Sequence, residues 1–154
     1  MVEEEINMSE NSNGRVYDEA NITVPEESGL AGKMMYSVNR AGFTTKHTMV
    51  MRDSTEFEEA RKYLILSSDI MIPTHTLFGN IVFQNGPIKE VGVNGCHIED
   101  LILICVDRLC YFQSTQYSCE ENAAAINSLM DAIQHLRTRT AGREMRGVEG
   151  ISEV

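Results

Sequence analysis

The chain has 154 residues, a formal net charge of −10 and a hydrophobic content of 42%. This length accommodates one compact domain or two small ones, and the composition is that of a globular protein. Long nucleic acid is not expected as a ligand, because binding to it depends on an extended basic surface. No apolar run is long enough to span a bilayer.

The N-terminal segment, residues 1–30, is strongly acidic. It contains eight acidic side chains and one basic one, Arg15. Its few apolar residues predict an acidic, largely disordered tail with one short strand at Ile22–Val24. The start Met-Val-Glu-Glu-Glu is opposite in charge to a secretion signal. We therefore expect a cytoplasmic protein.

Residues 31–82 have the patterns of a small α+β domain. A turn signal at Asn39–Gly42 separates the first two strand candidates and predicts a β-hairpin. A helix is expected to start at Asp53 or Ser54. Its apolar face is predicted to comprise Phe57, Ala60, Tyr63 and Leu64. The strand candidates are Met35–Val38, Thr44–Met51, Ile70–Ile72 and Leu77–Phe83.

Residues 83–154 predict a loop followed by two antiparallel helices. The first helix should start near Gly95 or Cys96, with Asn94 as its N-cap, and end near Gln113. Ser118, followed by Glu121, is a capping-box signal for the second helix. Gly142 marks the expected end of that helix.

The apolar residues of the two predicted helices indicate self-association. In the first helix they cover most of the circumference, which is typical of a helix buried on more than one side. In the second, the small residues Ala123–Ala125 permit close helix approach. We therefore predict a homo-oligomer formed through the helices.

Arginines cluster near the C-terminus of an otherwise acidic chain, at Arg137, Arg139, Arg143 and Arg146. The planar guanidinium group binds phosphate oxygens through paired hydrogen bonds, which favours an anion site. The alternative is that these cations only offset the partial negative charge at the C-terminus of a helix. Spacing alone does not separate the two interpretations.

The glycine-rich segment Asn85–Gly95 could present backbone N–H groups to a ligand, or it could simply form turns. It has neither the lysine ending of a phosphate-binding Walker loop nor the glycine order of a dinucleotide-binding fingerprint. Phe83, just before it, is either a core aromatic residue or a platform for stacking a base.

The sequence contains no convincing catalytic or metal-binding motif. The cysteines Cys96, Cys105, Cys110 and Cys119 lack the Cys-x-x-Cys spacing of structural zinc sites. We expect them to be reduced and packed as small hydrophobic residues. No nucleophile elbow or paired metal motif accompanies the histidines. The prediction is a protein that is not an enzyme, with no metal and no cofactor.

The C-terminal half contains a series of short motifs, at Phe83–Gly95, Glu99–Leu101, Val106–Leu109, Glu121–Ala123, Arg137–Thr140 and Arg146–Gly150. In these motifs it resembles the hairpin domain shared by two families of phage sponge proteins. One is the first Thoeris anti-defence family, which the arrangement of this chain resembles more, and the other is a family of anti-CBASS sponges. Two positions depart from the usual pattern: Glu120 stands in place of an arginine, and His135 in place of a frequent tryptophan.

The resemblance implies a protein that sequesters cyclic nucleotide immune messengers in the cytoplasm of the infected bacterial host, without cleaving them. The expected ligands are cyclic ADP-ribose isomers and, in some members, cyclic di- or trinucleotides. The expected assembly is a dimer or hexamer with pockets where protomers meet. The alternatives are a structural or protein-interaction module and an enzyme that degrades such messengers. Ligand contacts are implied for Phe83, Gln84, Asn94, Arg108, Arg137, Arg139, Arg143 and Arg146.

Overall fold

The computed structural model describes residues 9–10, 16–17, 26–28, 35–38, 47–53, 61–68 and 75–153. These residues fall into two compact units, Met1–Val82 and Phe83–Val154. An antiparallel sheet followed by a helical hairpin confirms the predicted α+β class. Among the described helices, none is both long and apolar enough to traverse a membrane. The strands are β1 (Ser9–Glu10), β2 (Val16–Tyr17), β3 (Met35–Ser37), β4 (Thr48–Asp53), β5 (Lys62–Ser67) and β6 (Leu77–Val82), and the helices are α1 (Ile88–Val91), α2 (Ile98–Gln113) and α3 (Glu120–Met145).

The first unit is built on a four-stranded antiparallel sheet in the order β3-β4-β5-β6. The pairing of β3 with β4 confirms the predicted β-hairpin, and β6 confirms the strand predicted at Leu77–Phe83. β1 and β2 form a separate antiparallel pair, and a single 3₁₀ turn lies at Glu26–Ser28. The turn signal Asn39–Gly42 and the strands predicted at Ile22–Val24 and Ile70–Ile72 lie outside the described residues, as does most of the acidic segment 1–30.

The core of this sheet consists of Met51, Leu64 and Leu66, which are completely buried. Met49 and Leu77 pack against them from neighbouring strands. Because successive residues of a strand face opposite sides, Leu64 and Leu66 lie on the same face of β5. These contacts stabilise the middle of the sheet.

The prediction of a helix starting at Asp53 or Ser54 is wrong at the C-terminal end of that helix. Tyr63 and Leu64 lie in β5, which pairs with β4 on one side and β6 on the other. The Phe57 and Ala60 positions of the same prediction lie outside the described residues. The run from Tyr63 to Leu66 buries alternate residues, and ladder pairing on both sides overrides a local helical spacing.

The second unit is a hairpin of α2 and α3. It has a very small hydrophobic core: among the described residues of this unit, Ile133 is the one apolar side chain that is buried. Large apolar side chains remain exposed on both helices, including Leu103 and Ile104 on α2 and Met130 on α3. The hairpin of a single chain therefore leaves much apolar surface in contact with water.

The first long helix begins later than predicted. Its N-cap is His97, not Asn94, and the His97 N–H donates to the Asp100 carboxylate at 2.7 Å. Asn94 bonds to the preceding loop instead. Because Asn94 is committed to that loop, α2 starts only at Ile98. The predicted end at Gln113 is confirmed.

The predicted capping box at Ser118 is also wrong. The N-cap of α3 is Cys119, and it is held by the side chain of Gln113. The Cys119 N–H donates to Gln113 Oε1 at 2.9 Å, and the Gln113 amide donates to the Cys119 carbonyl oxygen at 3.0 Å. These two bonds from the end of α2 place the N-cap of α3 at Cys119, one residue after Ser118.

Helix α3 continues past Gly142, the predicted end, to Met145. The true stop is Gly147, whose φ of 72° is the left-handed conformation that glycine adopts most readily. The Gly147 N–H donates to the Glu144 carbonyl oxygen at 2.9 Å, and the Val148 N–H to that of Arg143 at 3.1 Å. These two bonds form a Schellman motif, which satisfies the last carbonyl groups of the helix.

Candidate functional site

The segment of residues 84–95, which we call the glycine loop, is held together by Gln84. The Gln84 side-chain amide donates to the carbonyl oxygens of Gly86 at 3.1 Å and Gly92 at 2.8 Å. Its side-chain oxygen accepts the Asn94 N–H at 2.9 Å. One amide side chain thus joins both ends and the middle of the loop. Its predicted role in contacting a ligand stays a prediction.

Asn94 closes the loop from the other side. Its side-chain oxygen accepts the Asn85 N–H at 2.7 Å, and its side-chain amide donates to the Asn85 carbonyl oxygen at 2.8 Å. This reciprocal pair resembles a single step of a β-ladder. Asn94 therefore shapes the loop, and a direct contact with a ligand stays a prediction for this residue too.

The geometry of the glycine loop depends on its glycines. Gly86 and Gly92 have φ values of 79° and 76°, which side-chain-bearing residues rarely adopt. Between them, α1 is a single short helix that the sequence did not reveal. At the end of the loop, Cys96 pairs with Phe83 in an isolated parallel bridge, and Phe83 is half-buried there.

Replacing Gln84 with glutamate should weaken this loop. A carboxylate would present an oxygen, not an amide donor, to the Gly86 and Gly92 carbonyl oxygens. We expect the free energy of unfolding to fall by about 1 kcal/mol, because the two lost hydrogen bonds are exposed and neutral. Urea-induced unfolding of both variants measures this. The control is Gln116→Glu, an identical change at an exposed side chain, which should have little effect; equal effects at both positions would contradict the prediction.

Of the four C-terminal arginines, three are exposed. Arg137 and Arg139 lie on α3, and Arg146 is its C-cap. Within residues 75–153 and the other described segments, no hydrogen bond or ion pair involves the side chains of these three residues. In an acidic chain, such cations remain available to an external anion.

Arg143 is different, because its side chain is only 20% exposed and two of its three guanidinium nitrogens make hydrogen bonds. Its Nε lies 3.2 Å from the Glu149 carboxylate. One of its terminal nitrogens donates to the carbonyl oxygens of Val148 at 2.7 Å, Ile151 at 3.0 Å and Glu153 at 3.0 Å. The interpretation that these arginines serve a helix end therefore fits Arg143 and not the other three.

Arg108 lies on α2 and stacks on aromatic rings. Its guanidinium carbon is 4.4 Å from the centre of the Phe112 ring and 5.3 Å from that of Tyr111. The Phe112 ring in turn meets Tyr117 edge to face, with ring centres 6.2 Å apart. Stacking restricts the rotation of the guanidinium but leaves its N–H edge open. The spacing of Arg108 three and four residues before the rings is the sequence signal that could have revealed this stack.

The cysteine prediction was wrong in one respect. Cys105, Cys110 and Cys119 are exposed in the single chain, and only Cys96 is partly covered. All four are free thiols. Among the described residues, no three histidine, cysteine or acidic side chains converge as metal ligands.

Comparison with known proteins decides what this unit is. Residues 78–141 match the family model described as "Acb2/Tad1, hairpin domain". This stretch of the chain is therefore similar to the Acb2/Tad1 hairpin domain. This confirms the resemblance seen in the motifs of the C-terminal half. Over 71 residues the chain is also 52% identical to "Thoeris anti-defense 1" of Bacillus phage SBSphiJ7.

The match has limits that bear on the site. The aligned stretch covers 46% of this chain and 50% of the phage protein, so the chain matches about half the length of that relative. The Acb2/Tad1 hairpin match includes the glycine loop, Arg108, Arg137 and Arg139, but ends before Arg143 and Arg146.

Proposed function

We propose that this protein is a phage anti-defence sponge, which binds a cyclic nucleotide immune messenger without cleaving it and so blocks Thoeris or CBASS signalling. The proposed ligands are cyclic ADP-ribose isomers and cyclic di- or trinucleotides. The observation that carries the proposal is the combination of similarity to the Acb2/Tad1 hairpin domain with arginines that no described residue neutralises. The name of the phage relative, Thoeris anti-defense 1, supports the same assignment.

The roles of the candidate residues follow from their surroundings. Arg108, Arg137, Arg139 and Arg146 are proposed to contact phosphate groups, because their guanidinium edges are exposed. Phe83 is proposed to pack against a base. Gln84 and Asn94 are proposed to present the glycine loop to the ligand, since their side chains hold its backbone in place.

Energetics favour a pocket that a second copy helps to close. A hydrogen bond to a charged group contributes about 1.5–3 kcal/mol, and a stacked base about 1–3 kcal/mol. Nanomolar affinity corresponds to about 12 kcal/mol after the entropic cost of association. Two or three arginines with one stacked ring can approach this value only where water is excluded, and an exposed helix end does not exclude it.

The exposed apolar residues of the hairpin support such an assembly. Ile104 is 64% exposed and Leu103 is 52% exposed on α2, and Met130 is 48% exposed on α3. Large exposed apolar patches mark surfaces that associate, and closed symmetric pairing is the common outcome. We propose a dimer or hexamer formed through the helices. A solution mass equal to the 17.3 kDa of one chain would contradict this.

One experiment distinguishes a sponge from the two alternatives, a degrading enzyme and a protein-interaction module. The protein is incubated with cyclic ADP-ribose isomers and cyclic oligonucleotides, and the mixture is passed through a filter that retains the protein. The retained protein is then heat-denatured to release any bound ligand. For a sponge, one ligand disappears from the filtrate and returns intact from the denatured protein. Conversion of the ligand into a new species would establish a degrading enzyme. No depletion of any ligand would favour a protein-interaction module, in which the arginines bind no nucleotide.

A further inference from the structure

The residues after α3 turn back onto the glycine loop. We call residues 148–153 the C-terminal strap. Arg143 binds the strap along its whole length, through three carbonyl oxygens and through the Glu149 carboxylate. Because these partners come from four positions along the strap, a single guanidinium determines the path of the whole segment.

The strap is also bound by α1, inside the glycine loop. The Glu90 carboxylate accepts the Ser152 N–H at 2.8 Å through one oxygen and the Ser152 hydroxyl at 2.8 Å through the other. The Lys89 N–H donates to the Gly150 carbonyl oxygen at 3.0 Å. The strap thus links the end of α3 to the centre of the loop.

Gly150 permits this close approach. Its φ is 76°, and a Cβ at this position would lie 3.0 Å from Lys89 Cγ. A side chain here would therefore strain the backbone and press on α1 as well. The close contact between the strap and the loop therefore requires glycine at position 150.

We infer that the C-terminal strap fixes the conformation of the glycine loop before any ligand arrives, with Arg143 and Glu90 as its positioning residues. Ordering a loop during binding lowers affinity, and a loop already held in place avoids that loss. The role assigned to Arg143 is thus indirect: its Nε and one terminal nitrogen bind the strap, not a phosphate. The effect on affinity rests on the proposed function, whereas the effect on loop order does not.

Removing Glu90 distinguishes a role in positioning the strap from a purely electrostatic effect on anion binding. It is an exposed carboxylate in the loop that is proposed to meet an anion. If it acted only through its charge, its removal would leave anion binding unchanged or make it tighter. If it acts through Ser152, its removal should loosen the loop and weaken binding. The two interpretations predict opposite signs.

The first test needs no ligand. In Glu90→Ala, the backbone amides of the glycine loop should exchange with deuterium about tenfold faster, as expected for loss of a charge-assisted pair of hydrogen bonds. The matched control is Glu144→Ala, an identical change at an exposed carboxylate with no side-chain bond among the described residues. It should leave loop exchange unchanged. Unchanged exchange in Glu90→Ala would overturn the inference, whatever the protein binds.

The second test measures affinity for whichever cyclic nucleotide the parent protein retains. Glu90→Ala should bind it about tenfold more weakly. Adding Ser152→Ala to Glu90→Ala should change little further, because both remove the same contact. Equal affinity of Glu90→Ala and the parent would overturn the positioning role. If the parent retains no nucleotide at all, the proposed function fails, and the exchange experiment still decides whether the strap orders the loop.

Discussion

Replacing Gly95 with alanine should detach the glycine loop from the start of α2. A Cβ at this position would lie 2.4 Å from the carbonyl carbon of Phe83 and 2.5 Å from the Gln84 nitrogen. These are backbone atoms, which cannot rotate away as a side chain can. The Phe83–Cys96 bridge, including the 2.9 Å bond from the Gln84 N–H to the Cys96 carbonyl oxygen, would have to open. We expect a loss of about 3 kcal/mol or more in the free energy of unfolding.

Two other glycines provide controls with different expected signs. Gly142 lies inside α3, and an added Cβ would meet only Arg146 Nη1 at 3.8 Å, an ordinary contact, so Gly142→Ala should stabilise the protein by about 0.5–1 kcal/mol. Gly147 has φ of 72° and no neighbour within 4 Å of an added Cβ, so Gly147→Ala should cost about 1–2 kcal/mol from backbone strain alone. Urea unfolding followed by circular dichroism ranks the three variants. A Gly95→Ala variant as stable as the parent would contradict the close backbone approach.

The fold could be predicted where the pattern is local. Alternating and β-branched residues identified the strands that became β3 and β4, a further strand candidate became β6, and helical spacing identified α2 and α3. The error at Tyr63 and Leu64 has a physical cause: over a few residues, apolar spacing fits either a helix or a strand. Pairing with β4 and β6, which lie elsewhere in the sequence, determines the outcome.

The ends of the helices show the same limit. Ser118 has the right chemistry for an N-cap, but Gln113 binds Cys119 from the preceding helix and moves the start. Gly142 is a helix-ending residue by composition, but the left-handed turn forms at Gly147, where two terminal hydrogen bonds can close. Each of these results depends on a partner that local sequence patterns do not identify.

The candidate site could be located from motifs, but its internal roles could not. Spacing presents Arg139 and Arg143 as equivalent residues one helical turn apart. The structure separates them, because the strap returns to Arg143 and leaves Arg139 exposed. Glu90 was missed for the same reason, since its partner Ser152 lies 62 residues away. Long-range contacts thus distinguish positioning residues from those available to a ligand.

Arg108→Lys should weaken binding of the proposed cyclic nucleotide ligand by about 10- to 100-fold while leaving the fold intact. Lysine keeps the positive charge but loses the planar fork that pairs with phosphate oxygens. It also loses the stack on Phe112, which holds the guanidinium 4.4 Å from the ring centre. An exposed cation–π contact contributes only about 0.5–1 kcal/mol, so thermal stability should change little. Isothermal titration calorimetry measures the affinity, and a melting curve checks the fold.

The neighbouring Asp107→Asn provides the control, because it changes the charge of the same helix turn by one unit without touching the stack. Asp107 is exposed, and no described residue bonds to its side chain. If long-range charge governs binding, Asp107→Asn should bind more tightly and Arg108→Lys should match the parent, and that outcome would exclude a fixed guanidinium contact. If geometry governs binding, only Arg108→Lys should lose affinity. Since the two substitutions lie one residue apart, a difference between them isolates the fork and stack of Arg108 from the electrostatic field of the helix.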